Sequence, residues 1–289
     1  MQYEGTIIRP PSEAGSIILQ VTVGCSHNRC TFCGAYRDKT FRVKDRQTIA
    51  RDLAFAARYC RRQKTVFLAD GDVLVLPHAR LVELLGQIRA SLPWVRRISL
   101  YANCRDILRL DVDQLRELRS LGLGRVYMGL ESGDDTVLKA VHKGADARSM
   151  VRAGRQVREA GLFLSVSCLL GLGGVDRSRE HALATARVLG RMEPSQIAVL
   201  TLMLLENTEL GRAAAEGRFV LPPPDQLFAE LRTLVAAIEV KRAQFQANHA
   251  SNYFSLDGRL PRDREKFLAI IDRALEGHLA LKPEPLRAL

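Results

Sequence analysis

SIILQVTVGCSHNRCTFC, residues 16–33, joins two signals: an apolar run from Ser16 to Val23, and three cysteines, Cys25, Cys30 and Cys33, at the spacing C-x4-C-x2-C. The run has the length and β-branched content of a strand, so the cysteines fall in the loop that follows it. Three thiolates this close bind three irons of a cubane and leave the fourth open, whereas four cysteines complete the cluster. An open coordination position is how metal sites do chemistry. Soft thiolates select iron–sulfur, zinc or copper(I) over hard cations. The alternative is zinc, with His27 as fourth ligand. Zinc modules usually present two Cys/His pairs around a spacer, and here only one set is present.

Beyond the cysteines, short apolar runs alternate with helical segments. Helices are expected at Arg46–Arg62, His78–Leu92, Asp111–Leu121 (with Asp111 as N-cap), Asp135–Val141, Ala147–Ala160 and Arg179–Arg191. Strands are expected at Thr65–Ala69, Val95–Tyr101, Arg125–Leu130, Leu162–Leu170 and Gln196–Leu202. Six β–α units with near-continuous apolar strands imply an α/β fold, a parallel sheet covered by helices. Such folds place reactive groups at the strand C-terminal ends. After residue 205 the pattern changes: a short helix at Glu209–Gly217, a break at Leu221–Pro224, and a long helix at Asp225–Gln246. An irregular loop follows at Asn248–Leu260, then a last helix at Arg262–Leu279. The expected organisation is a barrel domain over 1–205 and a helical C-terminal extension over 206–289 packed on it.

The 289 residues are 47% hydrophobic, enough for one large core, and 26% charged, which is not a disordered composition. There is no apolar run of membrane-spanning length, and Met1–Pro11 is polar, unlike a signal peptide. The expected location is therefore cytoplasmic, with no membrane partner. The net charge of +11 is unevenly spread: between Ser26 and Arg62, ten Lys or Arg face three Asp, an excess of seven. Such a stretch suits an acidic redox partner, a phosphate-bearing substrate or nucleic acid, or is a solvated helix face.

On these residues the chain resembles the radical S-adenosylmethionine (SAM) superfamily. Its usual signature is C-x3-C-x2-C after the first barrel strand; the first gap here is one residue longer, as in some branches. Phe32 fills the aromatic position before the last cysteine, which in the family packs near the SAM adenine. Asp70-Gly71-Asp72, at the end of the second strand, stands where the family carries Gly-Gly-Glu for the SAM amino group. Asp70 replaces the first Gly and Asp72 the Glu. Met128–Gly133 (MGLESG) looks like the Gly-x-(Glu/Gln)-Ser-Gly segment of the oxygen-independent coproporphyrinogen oxidase and methylthiotransferase-like branches. It would bring Glu131 and Ser132 to the SAM ribose and methionyl part. Gly171 and Gly173, in Gly171–Gly174, occupy the glycine-rich turn near the adenine.

The resemblance spans roughly residues 16 to 205. It implies a partial (β/α)6 radical SAM barrel with a helical C-terminal extension. It also implies a 4Fe–4S cluster on Cys25, Cys30 and Cys33, and bound SAM. The implied reaction is reductive cleavage of SAM to a 5′-deoxyadenosyl radical that abstracts hydrogen from a substrate. A flavodoxin- or ferredoxin-type protein would supply the electron, docking on the basic helix after the cysteines. Asn103 and Arg105, after the third strand, are expected near SAM; Tyr101, His249, Asn252 and Tyr253 are expected near substrate. Asp106 is expected to cap a helix. Cys60, Cys104 and Cys168 read as small hydrophobes, which disfavours sulfur insertion. The expected substrate is a small molecule, such as a tetrapyrrole or another cofactor precursor. RNA is the alternative that pI 9.7 favours. A non-catalytic iron–sulfur electron carrier is a third reading, opposed by the Asp-Gly-Asp and Glu-Ser-Gly segments, which a carrier does not need.

Overall fold

The computed structural model describes residues 1–288. Its backbone contacts gather into two compact units. The first comprises residues 1–28, 35–128 and 156–164; the second comprises residues 29–34, 129–155 and 165 onward.

The first unit begins with strands β1 (Ile17–Gln20), β2 (Thr22–Val23) and β3 (Arg42–Val43), then helix α1 (Arg46–Tyr59). It continues with β4 (Thr65–Ala69), α2 (His78–Ser91), β5 (Arg97–Ala102), the short α3 (Cys104–Ile107), α4 (Val112–Ser120) and β6 (Leu123–Glu131), whose last residues enter the second unit. Strands β1, β4, β5 and β6 pair in that order, all parallel. Leu19, Val66, Phe67, Leu68, Ile98, Leu100 and Val126 are fully buried. Both faces of a parallel sheet are covered, so neighbouring positions along these strands are buried rather than strictly alternating with exposed ones. Asp45 caps α1 by accepting from Thr48 N at 2.8 Å, and Asp111 forms a capping box with Gln114 at the start of α4, as expected.

Helix α1 corrects one expectation. It leaves the cysteine loop at Asp45 and runs back to the start of β4, where Ser16 Oγ and Thr65 Oγ1 meet at 2.6 Å. Arg58, Arg61 and Arg62 therefore lie at the end of the sheet where the strands begin. About 13 Å of strand separates Thr65 from Ala69, next to Asp70. Elsewhere in the basic stretch, Lys39 and Lys44 are buried and paired, with Asp70 and Glu4 respectively, and Arg42 pairs with Glu4. The stretch is thus not one patch beside the cysteines. Asp106 differs too: it lies inside α3, and Asn103 takes the N-cap position.

The second unit carries α5 (Asp135–Ala140), α6 (Ala147–Glu159, its last turn in the first unit), β7 (Phe163–Leu170) and α7 (Gly174–Met192). After them come β8 (Gln196–Thr201), α8 (Glu209–Ala215), α9 (Pro224–Ala237), β9 (Ala243–Ala247), β10 (Leu256–Leu260) and α10 (Arg264–Leu275). β7, β8 and β9 are parallel neighbours, and β10 returns antiparallel to β9. The helix expected to reach Gln246 stops at Ala237, and Ile238 is already extended. In AQFQA, Ala243, Phe245 and Ala247 are buried, the two-residue period of a strand. Phe245 packs on Phe267 of α10, with ring centroids 5.2 Å apart. Among the described residues no helix is long and apolar enough to cross a membrane.

Candidate cofactor site

In the first unit, β4 ends at Asp70-Gly71-Asp72, directly against the junction of β2 and the cysteine loop. Gly71 N donates to Gly24 O at 2.9 Å. A Cβ on Gly71 would lie 2.5 Å from Cys25 Cβ, closer than real contacts allow, so only glycine fits there. Asp72 is fully buried. Its Oδ2 accepts from Ser26 Oγ at 2.5 Å and from Asn103 Nδ2. Asn103 Nδ2 also lies 3.9 Å from Cys25 Sγ, and Arg105 Nη2 lies 3.4 Å from Ser26 Oγ. The other carboxylate oxygen, Asp72 Oδ1, is buried and has no hydrogen-bond partner. Burial pushes the Asp72 carboxyl up to about 7, against the pull of its Ser26 and Asn103 hydrogen bonds. Cys25, Gly71, Asp72, Asn103 and Arg105 thus come together.

Asp70 and Tyr101 face elsewhere. The Asp70 carboxylate turns onto Gln20, Gly24 and Lys39. Tyr101 packs edge-on against Phe67, centroids 5.1 Å apart, and near Tyr127. Burial pushes its phenol up.

In the second unit, Thr31, between Cys30 and Cys33, donates to Val141 O at 3.0 Å and accepts from Leu210 N at 2.9 Å. Phe32 packs on the cluster of Val137, Val141, Leu172, Leu202 and Leu210. Glu131 ends β6 with a left-handed backbone, φ +62°, and accepts from Lys143 Nζ at 3.0 Å. Burial disfavours the Lys143 charge, but Glu131 and the thiolates of Cys30 and Cys33 outweigh it and raise its pKa. Sequence reasoning missed Lys143, which stands in a turn after α5 with no local pattern to mark it.

Ser132 and Gly171 join a buried network. Ser132 Oγ meets His181 Nδ1 at 2.8 Å, and His181 Nε2 meets Leu169 O at 3.0 Å. Gly171 N donates to Glu230 Oε1 at 2.7 Å, and Ser178 donates to Oε2 of the same carboxylate. Burial lowers His181 to about 4 and raises Glu230 to about 7. Neither residue was expected at the site: both sit on helix faces that read simply as amphipathic. Gly173 precedes α7 at its N-cap. Asn252 is buried, accepting from Thr201 Oγ1 at 2.9 Å and donating to Val199 O at 2.8 Å, so its loop is tied to the C-terminal end of β8. His249 pairs with Ser251 Oγ at 2.9 Å, and Tyr253 donates to Glu284 at 3.0 Å under Arg287.

The donor set fits an iron–sulfur cluster and SAM. The three loop cysteines are unbridged and partly accessible, and a buried carboxylate oxygen without a partner faces no protein donor. Among the described residues no three His, Cys, Asp or Glu side chains converge closely enough to hold a single metal ion.

The radical SAM superfamily profile matches residues 19–186, more than half of the sequence, and the chain belongs to that superfamily. It is 24% identical over 165 residues to the heme chaperone HemW of Bacillus subtilis, a match covering 56% of this chain and 43% of that protein. It is 23% identical over 204 residues to the anaerobilin synthase of Escherichia coli O157:H7, covering 68% and 45%. The chain spans less than half the length of these curated relatives. Among solved structures, the E. coli coproporphyrinogen III oxidase HemN superposes with TM-score 0.56 at 20% identity, covering 76% of this chain and 51% of that one. The methyltransferase TsrM of Kitasatospora setae gives 0.58 at 19%, covering 70% and 39%. The shared fold is the α/β partial barrel that the resemblance implies.

Proposed function

We propose that Cys25, Cys30 and Cys33 hold a 4Fe–4S cluster, that SAM binds beside it, and that the chain performs radical chemistry on a small-molecule substrate. The observation that carries this reading is the Asp72 site: a buried carboxylate with one open oxygen, linked by Ser26 and Asn103 to the residues flanking Cys25. A cluster on these cysteines, once reduced by an external one-electron donor, would supply the electron for reductive cleavage of SAM to methionine and a hydrogen-abstracting 5′-deoxyadenosyl radical.

The chain's own residues bind and orient. Asp72 offers Oδ1 to an ammonium group while Ser26 and Asn103 fix its rotamer. Lys143 holds Glu131 in its left-handed turn, and Glu230 fixes the buried Gly171 turn after β7 through the Gly171 N–H. Phe32, seated on the Val137–Leu210 cluster, offers an apolar wall. His249 and Tyr253 are the candidate substrate contacts, on a loop that Asn252 ties to the end of β8. Two of the matched proteins carry heme or coproporphyrinogen in their names, which favours a tetrapyrrole or similar cofactor precursor over RNA. The electron donor is of the flavodoxin or ferredoxin type.

Anaerobic reconstitution tests this directly. The protein should take up about four irons per chain and release 5′-deoxyadenosine from SAM with dithionite. Cys25→Ala, Cys30→Ala and Cys33→Ala together should abolish both. A protein carrying one zinc and no sulfide would sink the reading.

A further inference from the structure

Asp70 stands where the resemblance expects a glycine, yet its backbone keeps the conformation that glycine favours, φ +68°. Left-handed backbone is costly for a residue with a Cβ, though least so for Asp and Asn. Its side chain must offset that cost, and its contacts show how. The carboxylate is fully buried, and its Oδ2 accepts three hydrogen bonds. They come from Gly24 N at 2.9 Å, Gln20 Nε2 at 3.0 Å and Lys39 Nζ at 3.2 Å. Gly24 directly precedes Cys25, and Lys39 lies six residues past Cys33. Lys39 is itself buried, and its ammonium also donates to Thr6 O at 2.6 Å. The two ends are in contact: a Cβ on Gly24 would lie 3.2 Å from Lys39 Cβ.

We propose that Asp70 is a positioning residue rather than a cofactor contact. One oxygen of its carboxylate draws Gly24 and Lys39 together and closes the base of the loop that carries Cys25, Cys30 and Cys33. The functional meaning rests on those cysteines being the cluster ligands. The loop is also closed by the pairing of β2 with β3, two residues each, with β3 exposed, and by Asn28 Nδ2 donating to Tyr36 O at 2.8 Å; so short a strand pairing is marginal alone. The longer first gap between cysteines adds slack, and loop entropy works against bringing three thiols together. A buried, three-donor carboxylate opposes it strongly, because removing either charge leaves the other buried and uncompensated.

The test is site-resolved alkylation of the apoprotein with iodoacetamide, read by mass spectrometry, in wild type, Asp70→Asn, Lys39→Met, Lys39→Arg and the Asp70→Asn/Lys39→Met pair. Asp70→Asn keeps the shape and removes the charge. Cys25 should react about tenfold faster or more in Asp70→Asn and in Lys39→Met, the loss of a charged hydrogen bond. The pair should be no faster than either single variant, because both break one contact, and Lys39→Arg should restore slow labelling. Cys104 and Cys168, 5% and 1% exposed, report global opening and should stay slow throughout. If Asp70→Asn does not fold, Lys39→Met carries the measurement from the loop's other end. Unchanged Cys25 labelling would overturn the clamp, as would equal acceleration at Cys104 and Cys168. On reconstituted protein, chelators should strip iron about tenfold faster from the same variants. A wild type that takes up no iron, with Cys25 labelling still accelerated in the variants, would overturn the cluster reading and support the clamp.

Discussion

Ser132 Oγ lies 2.8 Å from His181 Nδ1 in a part of the second unit closed to solvent. His181 Nε2 faces the Leu169 carbonyl at 3.0 Å, so the proton sits on Nε2 and Nδ1 accepts from the serine. Glu230 Oε1 is 3.5 Å from the same Nε2. By residue type this is a nucleophile set. Yet Ser132 is fully buried and its oxygen accepts from Asp134 N at 3.0 Å. It joins the end of β6 to α7 and does not attack a substrate. His181→Ala should cost about 2–4 kcal/mol, from the cavity and the unpaired Ser132 and Leu169 groups. Chemical unfolding measures it; a loss below about 0.5 kcal/mol, the scale of neutral surface changes, would show that the network carries no stability.

Glu230 gives a signed pH dependence. Burial holds its carboxyl near 7, against an ordinary 4.5. Between those values the folded chain keeps a proton that the unfolded chain has released, so this group lowers stability as pH rises through the window. The loss reaches the order of 3 kcal/mol. His181 acts oppositely, staying neutral in the fold down to about 4 where the free side chain would protonate near 6.5; its term raises stability over that range. Glu230→Gln should therefore raise Tm at pH 8, leave it nearly unchanged at pH 4, and expose an upward slope between about pH 4 and 6.5. Parallel Tm profiles for variant and wild type would refute this.

Asp72→Ala should weaken SAM binding about 10- to 100-fold, the worth of a charge-assisted hydrogen bond to an ammonium. Because burial holds this carboxyl near 7, wild-type affinity should climb with pH up to about 7 and then level, while the variant shows no such step. Equilibrium dialysis across pH 5.5–8.5 (roughly 1.5 units either side of the transition) reads both. Unchanged affinity would mean that the ammonium binds elsewhere.

Reversing Arg58, Arg61 and Arg62 to Glu should leave reduction by flavodoxin within about twofold at about 0.15 M salt. These side chains lie at the start of β4, beyond the roughly 8 Å over which charges steer at 0.15 M salt. A large slowing that vanishes at high salt would place the docking face there after all. Salt-sensitive RNA binding lost in the same variant would mark it as a nucleic-acid surface.

The strand-end motifs were legible because chemistry and periodicity coincide in them. Three cysteines after an apolar run, Asp72 after TVFLA and Glu131-Ser132 after RVYMGL each sit where a parallel strand must end. Asp111 was legible as a cap from one residue type before a periodic run. AQFQA was not: five residues with apolar positions two apart fit either period when they follow a strong helix. What selected the strand was the open edge of β8 and the Phe267 ring, both distant in sequence.

The amino-acid sequence by itself determined the β–α alternation, the C-x4-C-x2-C spacing of Cys25, Cys30 and Cys33, and the carboxylate after β4, since periodicity and residue spacing are local properties. Only the tertiary structure decided that Asp70 turns to Gly24 and Lys39 while Asp72 turns to Ser26 and Asn103. It alone brought Lys143 to Glu131, and His181 and Glu230 to the segments after β6 and β7. Two aspartates separated by a single glycine are chemically identical in a sequence. Their roles differ because burial sets which donors can reach each carboxylate, and those donors come from residues 31 to 50 positions away.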